Sequence, residues 1–430
     1  MDYTTFEEEG TRGSTRNMCC GLCACIIRVM SNIQLWLILH PNFITRFFLW
    51  FFYVFEVLAY SINPKSFLNS RSDVLGKNYA ALGKIIIGDY RLVAGIIEGA
   101  QKRGAFLGRA RLAHKKVASA FPLFLSDEGA GGTSLHSTIH QNIWALAQPA
   151  LDRAHGPEFD KYVEDGVREY KRTQKNGALN DMTAKYVFHA VFGAPLPNKK
   201  ELKNIQTLFI GNFPWSSYVF GAVKPFSALF HCFQCSRTSR IKRLKEVVLA
   251  TPLLLGYVPS EANGHLSADE YAEMLVSVCG IAGILGTSNL IKNVAKAIPE
   301  NVSIDLSDQR EVMRAVLEAA RIRAPVNNVN VLTTTVKTMR VNNKLKTLPM
   351  NTVFAGSIGL ACFDESVFAN PKKYDHKREN IEKAVLNFNH VGFSPEGAGT
   401  RQCPGRNIAM KLAADFLIGL RTPAFVENIN

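Results

Sequence analysis

One cysteine near the end of the chain has the surroundings of a metal ligand. Cys403 follows Gly399 and Arg401 and precedes Gly405, and an apolar helical pattern starts directly after it. A helix N-terminus stabilises an anion, so we expect the thiol to ionise easily and to hold a soft or borderline metal. The two glycines would let a flat ligand approach the backbone, and the guanidinium would bind a carboxylate at its edge. This set predicts haem with Cys403 as axial ligand, and a structural cysteine is the alternative.

The run GTRQCPG (399–405) resembles the cysteine loop of the cytochrome P-450 superfamily, whose usual form is F-x-x-G-x-R-x-C-x-G. Glu396 stands at the Phe position, and that departure resembles the allene oxide synthase and hydroperoxide lyase branch. The resemblance extends in order over about residues 70–430. It implies a mainly α haem-thiolate fold with a small β region, one catalytic domain and a long central helix over the haem.

The longest helical pattern, from Ser267 to about Ile298, predicts that central helix, and at 1.5 Å per residue it would be about 48 Å long. Ser267 and Glu270 have the spacing of a capping box. Three glycines, each costing about 1 kcal/mol relative to Ala in a helix interior, stand in its middle: Gly280, Gly283 and Gly286. Either another helix packs closely there, or a flat cofactor and substrate lie against the glycines, and we favour the second interpretation.

Monooxygenases of the resembled superfamily carry an acid followed by Thr on this helix, in the form A/G-G-x-D/E-T. The matching run here is 282–286, so a leucine replaces the acid and a glycine replaces the alcohol. Thr287 lies one position further on and could supply the alcohol after a register shift. The candidate catalytic residues facing the haem are Gly283, Leu285, Gly286 and Thr287.

Glu318 and Arg321 form an E-x-x-R pair on a predicted helix that ends at Pro325. By resemblance this pair is structural and locks the proximal side of the haem. The run YDHKRE (374–379) resembles the F-x-P-x-R segment and would add Arg378 to the charge network. Two β-rich runs, VLTTTVKTMRV and PMNTVFAGSIGLACF, predict a small sheet.

Two histidines, His136 and His140, stand one helical turn apart after a glycine-rich loop. If their helix matches the one that carries H-x-x-x-R beside the haem propionates, His136 fits and His140 replaces the Arg. Both would then join Arg401 as contacts of the haem, and a solvent-facing pair is the alternative. A core helix is predicted over 177–197, with Asn180 or Asp181 as its N-cap.

The start of the chain predicts attachment to a membrane surface. Residues 1–17 are polar and contain no secretory signal pattern, and four cysteines within 19–25 lack zinc spacing but suit acylation. The aromatic run 43–62 is interrupted by Arg46 and Glu56, which favours an interfacial anchor over a spanning helix. The run could also be the first amphipathic helix of the catalytic domain. We predict a tail and membrane-associating segment over 1–70 and a haem-thiolate catalytic domain over 71–430.

Composition narrows the partners and the compartment. The 430 residues carry a net charge of +14, which suits an acidic membrane or an acidic redox partner. No interleaved basic and aromatic pattern indicates nucleic acid. Nine irregularly spaced cysteines favour a reducing compartment, so an intracellular membrane such as the endoplasmic reticulum is expected.

Three functions compete at this point. By resemblance, the first is rearrangement of a fatty-acid hydroperoxide without external reductant, as in allene oxide synthase, hydroperoxide lyase or epoxyalcohol synthase. The second is a monooxygenase that uses dioxygen and a reductase on a lipid or sterol. The third is an inactive haem-binding or lipid-binding protein, an expectation raised because only 27 residues follow Cys403.

Overall fold

The computed structural model describes residues 16–103, 145–207, 231–260, 265–332, 336–350, 352–388, 390–393 and 402–422. Contacts divide the chain into two compact units. Unit 1 comprises 1–87 and 335–354, and unit 2 comprises 88–334 and 355–430. The aromatic run therefore shares a unit with strands from both ends of the sequence, while the predicted division at residue 70 stays a prediction.

The described residues of unit 1 form three helices and two hairpins. Its elements are α1 (Arg16–Leu39), α2 (Phe43–Ile62), α3 (Pro64–Leu75), β1 (Asn78–Ala81), β2 (Lys84–Ile87), β4 (Lys337–Val341) and β5 (Lys344–Leu348). The β1–β2 and β4–β5 pairs are antiparallel, with Asn78 opposite Ile87 and Lys337 opposite Leu348. Asn342 and Asn343 form the tight turn between β4 and β5 with positive φ of 51° and 60°, which Asn tolerates better than most residues.

Helix α2 is a folded part of unit 1. An Asn42–Thr45 capping box fixes its start. Glu56 is buried and accepts hydrogen bonds from Arg71 of α3 and from the backbone N–H of Leu82 in the β1–β2 turn. The structure therefore supports the third interpretation of the aromatic run, a helix of the domain itself.

Both α1 and α2 nevertheless leave apolar side chains in solvent. On α1 the exposed ones recur at helical spacing: Ile26, Val29, Ile33 and Trp36. On α2 they form a wider stripe: Phe43, Ile44, Phe47, Phe48, Phe51 and Phe55. No helix in the described part of the chain is long and apolar enough to cross a membrane.

Unit 2 is mainly helical. Its numbered elements are α4 (Tyr90–Arg103), α5 (Pro157–Thr173), α6 (Asn176–Phe192), α7 (Lys199–Ile205), α8 (His231–Leu249), α9 (Ala268–Ser277), α10 (Gly286–Ala297), α11 (Gln309–Ile322), β3 (Asn328–Leu332), β6 (Val353–Ser357), α12 (Ile358–Ala361), α13 (Ile381–Ala384), β7 (Leu386–Asn387), β8 (His390–Val391) and α14 (Arg406–Arg421). A helical segment also covers 145–153. The first two residues of β6 belong to unit 1.

The predicted central helix is present, but its middle is not α-helical. Val278–Leu285 forms a π-helical segment between α9 and α10. Ser267 caps the start as predicted, because its Oγ accepts from the N–H of Glu270 while Glu270 Oε2 accepts from the N–H of Ser267. Short π-segments inside α-helices occur often at functional sites.

Two hydrophobic clusters surround this helix. Among the described residues, one joins α5, α6, α10, α11 and α14, and the other joins α6, α7, α8, α9 and the π-segment. The N-cap prediction for the core helix is wrong: α6 begins at Asn176 and Lys175 is its cap, so Asn180 and Asp181 lie inside it. Asn180 is instead a tertiary contact, accepting a hydrogen bond from Ser288 Oγ at 2.6 Å.

Candidate functional site

Cys403 is held between a short hairpin and the last helix. Its backbone N–H donates to the carbonyl of Phe388 at 2.8 Å, in the turn between β7 and β8. Phe388 has a φ of 56°, in the left-handed region, so this turn is tight. The hydrogen bond from Cys403 helps to hold it. The Cys403 carbonyl then accepts from the N–H of Arg406, where α14 begins. The backbone on both sides of the thiol is therefore fixed.

The thiol is free and partly exposed. Burial raises the pKa of Cys403, while a hydrogen bond from the Gly405 backbone and the charge of Arg406 lower it. The sequence predicted a thiol that ionises easily. For the free thiol this prediction is wrong, because burial raises the pKa of Cys403 more than the helix N-terminus lowers it. A metal cation bound to the sulfur would itself deprotonate the thiol.

Helix α14 supplies a rigid base for that thiol. It packs against α5, α10 and α11, and most of one face is buried, including Leu412 and Phe416. At Gly419 an added Cβ would lie 3.2 Å from Val167 of α5, so glycine permits a close helix crossing there. Since α10 is the C-terminal half of the central helix, α14 ties the cysteine segment to it.

The E-x-x-R pair is fully buried on α11. Arg321 Nε lies 2.7 Å from Glu318 Oε2, and Arg321 Nη2 lies 2.8 Å from Glu318 Oε1. Arg378 joins them, with its Nε 3.1 Å from Glu318 Oε1. The structure thus brings together the three residues that were predicted from the sequence to form one charge network.

This network also holds the backbone that leads to the cysteine segment. Arg321 donates to the carbonyls of Cys362 and Pro371, and Arg378 donates to those of Asn370 and Lys373. A buried ion pair is tolerable only when its remaining donors and acceptors are satisfied, as they are here. The loop 369–378 therefore has little freedom.

The glycines of the central helix divide between the two interpretations that the sequence left open. A Cβ added at Gly283 would lie 3.2 Å from Val187 Cγ1 of α6, so this glycine serves close helix packing. A Cβ added at Gly286 would meet no described atom within 4 Å. Gly280 lines a cavity of about 10 Å³ between the π-segment, α6 and α8. Of Gly283 and Gly286, the second is the one that leaves space for a cofactor or substrate within the described residues.

The other candidate catalytic residues lie beside that open position. Leu285 is half-buried and Thr287 is buried, at the junction of the π-segment with α10. Cys279, near the start of the π-segment, is buried, and its burial raises the pKa of the thiol to about 12. No described residue of the segment 278–286 therefore exchanges a proton near neutral pH.

Four candidate residues for binding the haem edge lie outside the described residues: Gly399, Arg401, His136 and His140. Gly405 is described, and a Cβ added there would meet no described atom within 4 Å. Among the described residues, no group of three or more His, Cys, Asp or Glu side chains could hold a metal ion. A single axial ligand is the arrangement that the described part permits.

Three buried polar atoms beside Cys403 lack a hydrogen-bond partner within the described residues. They are Asn387 Nδ2, His390 Nδ1 and Gln402 Oε1. Buried polar atoms are nearly always satisfied, so such a group indicates a place that a bound group or water completes. Sequence reasoning did not predict these three residues. The one signal it could have used is the spacing of Asn387 and His390, which pair across a two-residue turn.

The described residues fit a haem with a thiolate ligand. Cys403 offers a free sulfur on a hydrogen-bonded backbone, and open space remains over Gly405 and over Gly286 within the described residues. Gln402, which has an unpartnered Oε1 among the described residues, directly precedes Cys403, and Asn387 directly precedes Phe388, whose carbonyl accepts from the Cys403 N–H. Haem would be held by Cys403 and approached by Gly286.

The comparisons with known proteins agree with this arrangement. Residues 287–418, which include Thr287, the E-x-x-R pair and Cys403, match the family model described as Cytochrome P450. This match supports the predictions of a haem-thiolate enzyme and of a haem cofactor. No curated protein matches the chain.

Solved structures show the fold. Cytochrome P450 CYP109Q5 from Chondromyces apiculatus is 19% identical, with 84% of this chain and 87% of that chain covered and a TM-score of 0.51. CYP109B1 from Bacillus subtilis is 16% identical, with 79% and 86% covered and a TM-score of 0.54. A mutant of P450 EryK in complex with erythromycin B is 15% identical, with 82% and 86% covered and a TM-score of 0.57. The chain has the cytochrome P450 fold, and the fold-class prediction is confirmed.

Proposed function

We propose that this chain is a haem-thiolate enzyme in which the Cys403 sulfur binds the haem iron. The support is the fixed backbone at Cys403, the buried Glu318–Arg321–Arg378 network and the family match that contains them. A thiolate-bound haem supplies cleavage of an O–O bond. The chain itself contributes the axial ligand, the smooth helix surface at Gly286 and the apolar surroundings.

The reduced protein with carbon monoxide tests this first step. We expect the red-shifted Soret band of thiolate ligation, and its loss in Cys403→Ser. Cys25→Ser, which removes an exposed free cysteine of α1, is the matched control and should leave the band unchanged. A spectrum of the kind given by a His-ligated globin would overturn the proposal.

We propose that the substrate is a lipid hydroperoxide and that turnover needs neither dioxygen nor a reductase. The observation that carries this proposal is the central helix, where Leu285 and Gly286 stand in place of the acid and the alcohol. A monooxygenase must deliver protons to bound dioxygen, whereas a hydroperoxide brings an O–O bond that is already reduced. Cys279 keeps its proton because burial raises its pKa to about 12, so it offers no substitute.

The π-segment also packs against an apolar surface. Cys279, Gly280 and Ile284 face apolar side chains of α6 and α8 across a cavity of only about 10 Å³. This side of the helix is therefore closed core packing, and it leaves the open position at Gly286 as the place for a substrate among the described residues.

One observation favours a monooxygenase as the second candidate. Thr287 is a buried alcohol one residue beyond the expected position, directly after the π-segment. A π-turn contains one residue more than an α-turn, so this segment can bring Thr287 to the place of the missing alcohol.

An anaerobic assay separates the two candidates. Purified protein receives a hydroperoxide of linoleic or arachidonic acid without NADPH, and loss of the conjugated diene is followed. Rapid loss that disappears in Cys403→Ser supports rearrangement. Turnover seen only with reductase, NADPH and oxygen would assign the protein to the monooxygenases, with a reductase as its partner.

We also propose that unit 1 attaches the protein to an internal membrane by lying on its surface. The exposed aromatic stripe of α2 and the apolar stripe of α1 support this proposal, since aromatic side chains favour the interfacial region. Because Glu56 and Thr45 belong to the core of unit 1, deletion of the helices would damage the fold. Substitution of exposed residues, such as Trp36→Ser with Phe47→Ser and Phe51→Ser, should instead release the folded protein to the soluble fraction.

A further inference from the structure

Helix α6 meets the central helix on both sides of the junction between the π-segment and α10. On the α10 side, Ser288 Oγ donates a hydrogen bond to Asn180 Oδ1 at 2.6 Å. On the other side, a Cβ added at Gly283 in the π-segment would lie 3.2 Å from Val187 Cγ1. The junction therefore lies between two contacts with α6.

Both contacts use the same face of α6. Asn180 and Val187 are seven residues apart, which is about two turns of an α-helix. Thr183 lies between them on this face and is fully buried, but its hydroxyl donates to the carbonyl of Leu179 in its own helix at 2.7 Å. Asn180, unlike Thr183, therefore offers its polar atom to the central helix.

The winding of the central helix lets both Gly283 and Ser288 face α6. In an unbroken α-helix, residues five apart differ by about 140° in direction, because each residue turns the chain by about 100°. The wider π-turns reduce that difference. A π-turn is rare, and an unfavourable backbone conformation persists where the surrounding structure holds it. The two contacts with α6 lie where they can hold this one.

Helix α10 is also held on the side of α11. Asn293 Nδ2 donates to the carbonyl of Arg323, at the end of α11, at 2.6 Å. This bond fixes the direction of the later part of α10. The extra residue of the π-segment must therefore be taken up before Asn293, and the bond between Ser288 and Asn180 restricts it to the positions before Ser288.

We infer that Asn180 keeps the extra residue of the π-segment ahead of Gly286 and is thereby a positioning residue for the site. This inference rests on the haem site proposed above, in which Gly286 leaves open space. Ser288 is fully buried, so loss of its acceptor on α6 would leave the hydroxyl unsatisfied or turn it to its own helix. The wide turn could then move past Gly286 toward Asn293.

Such a move would change the residue at the open position. A Cβ added at Gly286 meets no described atom within 4 Å, whereas Leu285 is half-buried and Thr287 is buried. When the wide turn lies after Gly286 instead of before it, each residue at the junction takes the place of the residue that follows it. Leu285 would then occupy the space that Gly286 leaves open. Asn180 thus ensures that a residue without a side chain faces a ligand there.

Hydrogen exchange of the full-length protein tests the first step. In Asn180→Ala, the amides of residues 282–288 should exchange about ten-fold faster than in the wild type, as expected for the loss of one buried hydrogen bond. Asn180→Asp keeps an oxygen in the same position for Ser288 and should restore slow exchange. Thr183→Val removes a buried hydroxyl whose bond lies within α6, so exchange at 282–288 should stay unchanged.

Iron ligands of two sizes test the second step in the haem-loaded protein. Imidazole is small, whereas 4-phenylimidazole places a second ring in the space over the haem. We expect Asn180→Ala to bind 4-phenylimidazole about ten-fold more weakly, because Leu285 would fill that space, and to bind imidazole as the wild type does. Gly286→Leu puts the same side chain there directly, and it should give the same ligand preference while exchange at 282–288 stays slow.

The outcomes separate this inference from the function beneath it. Unchanged exchange at 282–288 in Asn180→Ala, or equal acceleration in Thr183→Val, would overturn the inference. Faster exchange with unchanged binding of 4-phenylimidazole would show that Asn180 holds the helix without positioning Gly286, which also overturns it. A wild type that binds no haem would overturn the proposed function, and the exchange rates would still decide whether Asn180 holds the π-segment.

Discussion

Each compact unit contains a buried glutamate that pairs with arginine and accepts from a backbone N–H. In unit 2, Glu318 pairs with Arg321 one helical turn away and accepts from the N–H of Asp375. In unit 1, Glu56 pairs with Arg71 of another helix and accepts from the N–H of Leu82 in a turn. The two pairs differ in their separation along the sequence. Glu318 and Arg321 are three residues apart and can be recognised as a motif, whereas Glu56 and Arg71 are 15 residues apart. From the sequence alone, Glu56 was interpreted as a charge that interrupts an apolar anchor.

The strongest way to break the comparison is to remove the arginine of the local pair. Arg321→Met leaves Glu318 buried and removes the bonds to two backbone carbonyls, so we expect a loss of about 3–5 kcal/mol in the free energy of unfolding. Chemical denaturation measures this loss. Arg310→Met is the control, because its pair with Glu382 is exposed and worth at most about 1 kcal/mol. A loss below about 1 kcal/mol in Arg321→Met would contradict the structural role of the network.

Loss of the Glu56–Arg71 pair should lower the free energy of unfolding less, and its effect should stay within unit 1. Glu56→Gln keeps an acceptor for Leu82 and loses the charge beside Arg71, which is 14% exposed and partly solvated. We expect a loss of about 2 kcal/mol, seen as faster hydrogen exchange of the β1–β2 amides, with the amides of α11 unchanged. Asp73→Asn, an exposed change on α3, should have no such effect. Uniform exchange across both units would show that the effect is not local.

A half-buried cation on α10 gives a comparison of the opposite sign, because its burial lowers stability. Burial lowers the pKa of Lys292 on α10 to about 8. The unfolded chain then binds more protons than the folded one between pH 8 and 10.5, so wild-type stability gained from this group rises with pH through that window. Lys292→Met should stabilise by about 2 kcal/mol at pH 7, a value discounted for residual solvent contact, and the advantage should vanish by about pH 10.5.

Burial also lowers the pKa of Lys84 to about 8, so both lysines contribute to the pH dependence of wild-type stability. Only the difference in free energy of unfolding between Lys292→Met and the wild type reports on Lys292. Lys161→Met, an exposed change, should give a difference that does not vary with pH. A stability gain in Lys292→Met that persists at pH 10.5 would mean that packing, not charge, explains it.

The sequence predicted well wherever the cause was local. The capping box at Ser267 and Glu270 and the E-x-x-R pair each depend on residues within four positions. Asn180 failed as a predicted N-cap because its amide is used for a tertiary bond to Ser288, 108 residues away. A cap propensity cannot show that competition.

The glycines of the central helix show a second limit. Their cost in a helix indicated that something must compensate, but the spacing could not tell which neighbour each one meets. The structure places Val187 over Gly283 and leaves space over Gly286 among the described residues. The prediction of an easily ionised Cys403 was wrong for a related reason. The sequence indicated a helix N-terminus, but it could not show the burial that raises the pKa of the thiol.

Because of the π-segment Val278–Leu285, the number of residues in this helix matters as much as their identities. A π-turn takes up one residue more than an α-turn, so loss of one residue there would let the hydrogen bonds return to the α pattern while the residues from Gly286 onward keep their faces. The change would fall on the segment itself, whose side chains would take new positions around the axis. In this fold, the surface of the central helix could change by insertion or deletion of a single residue, a class of variant that scanning by substitution never samples.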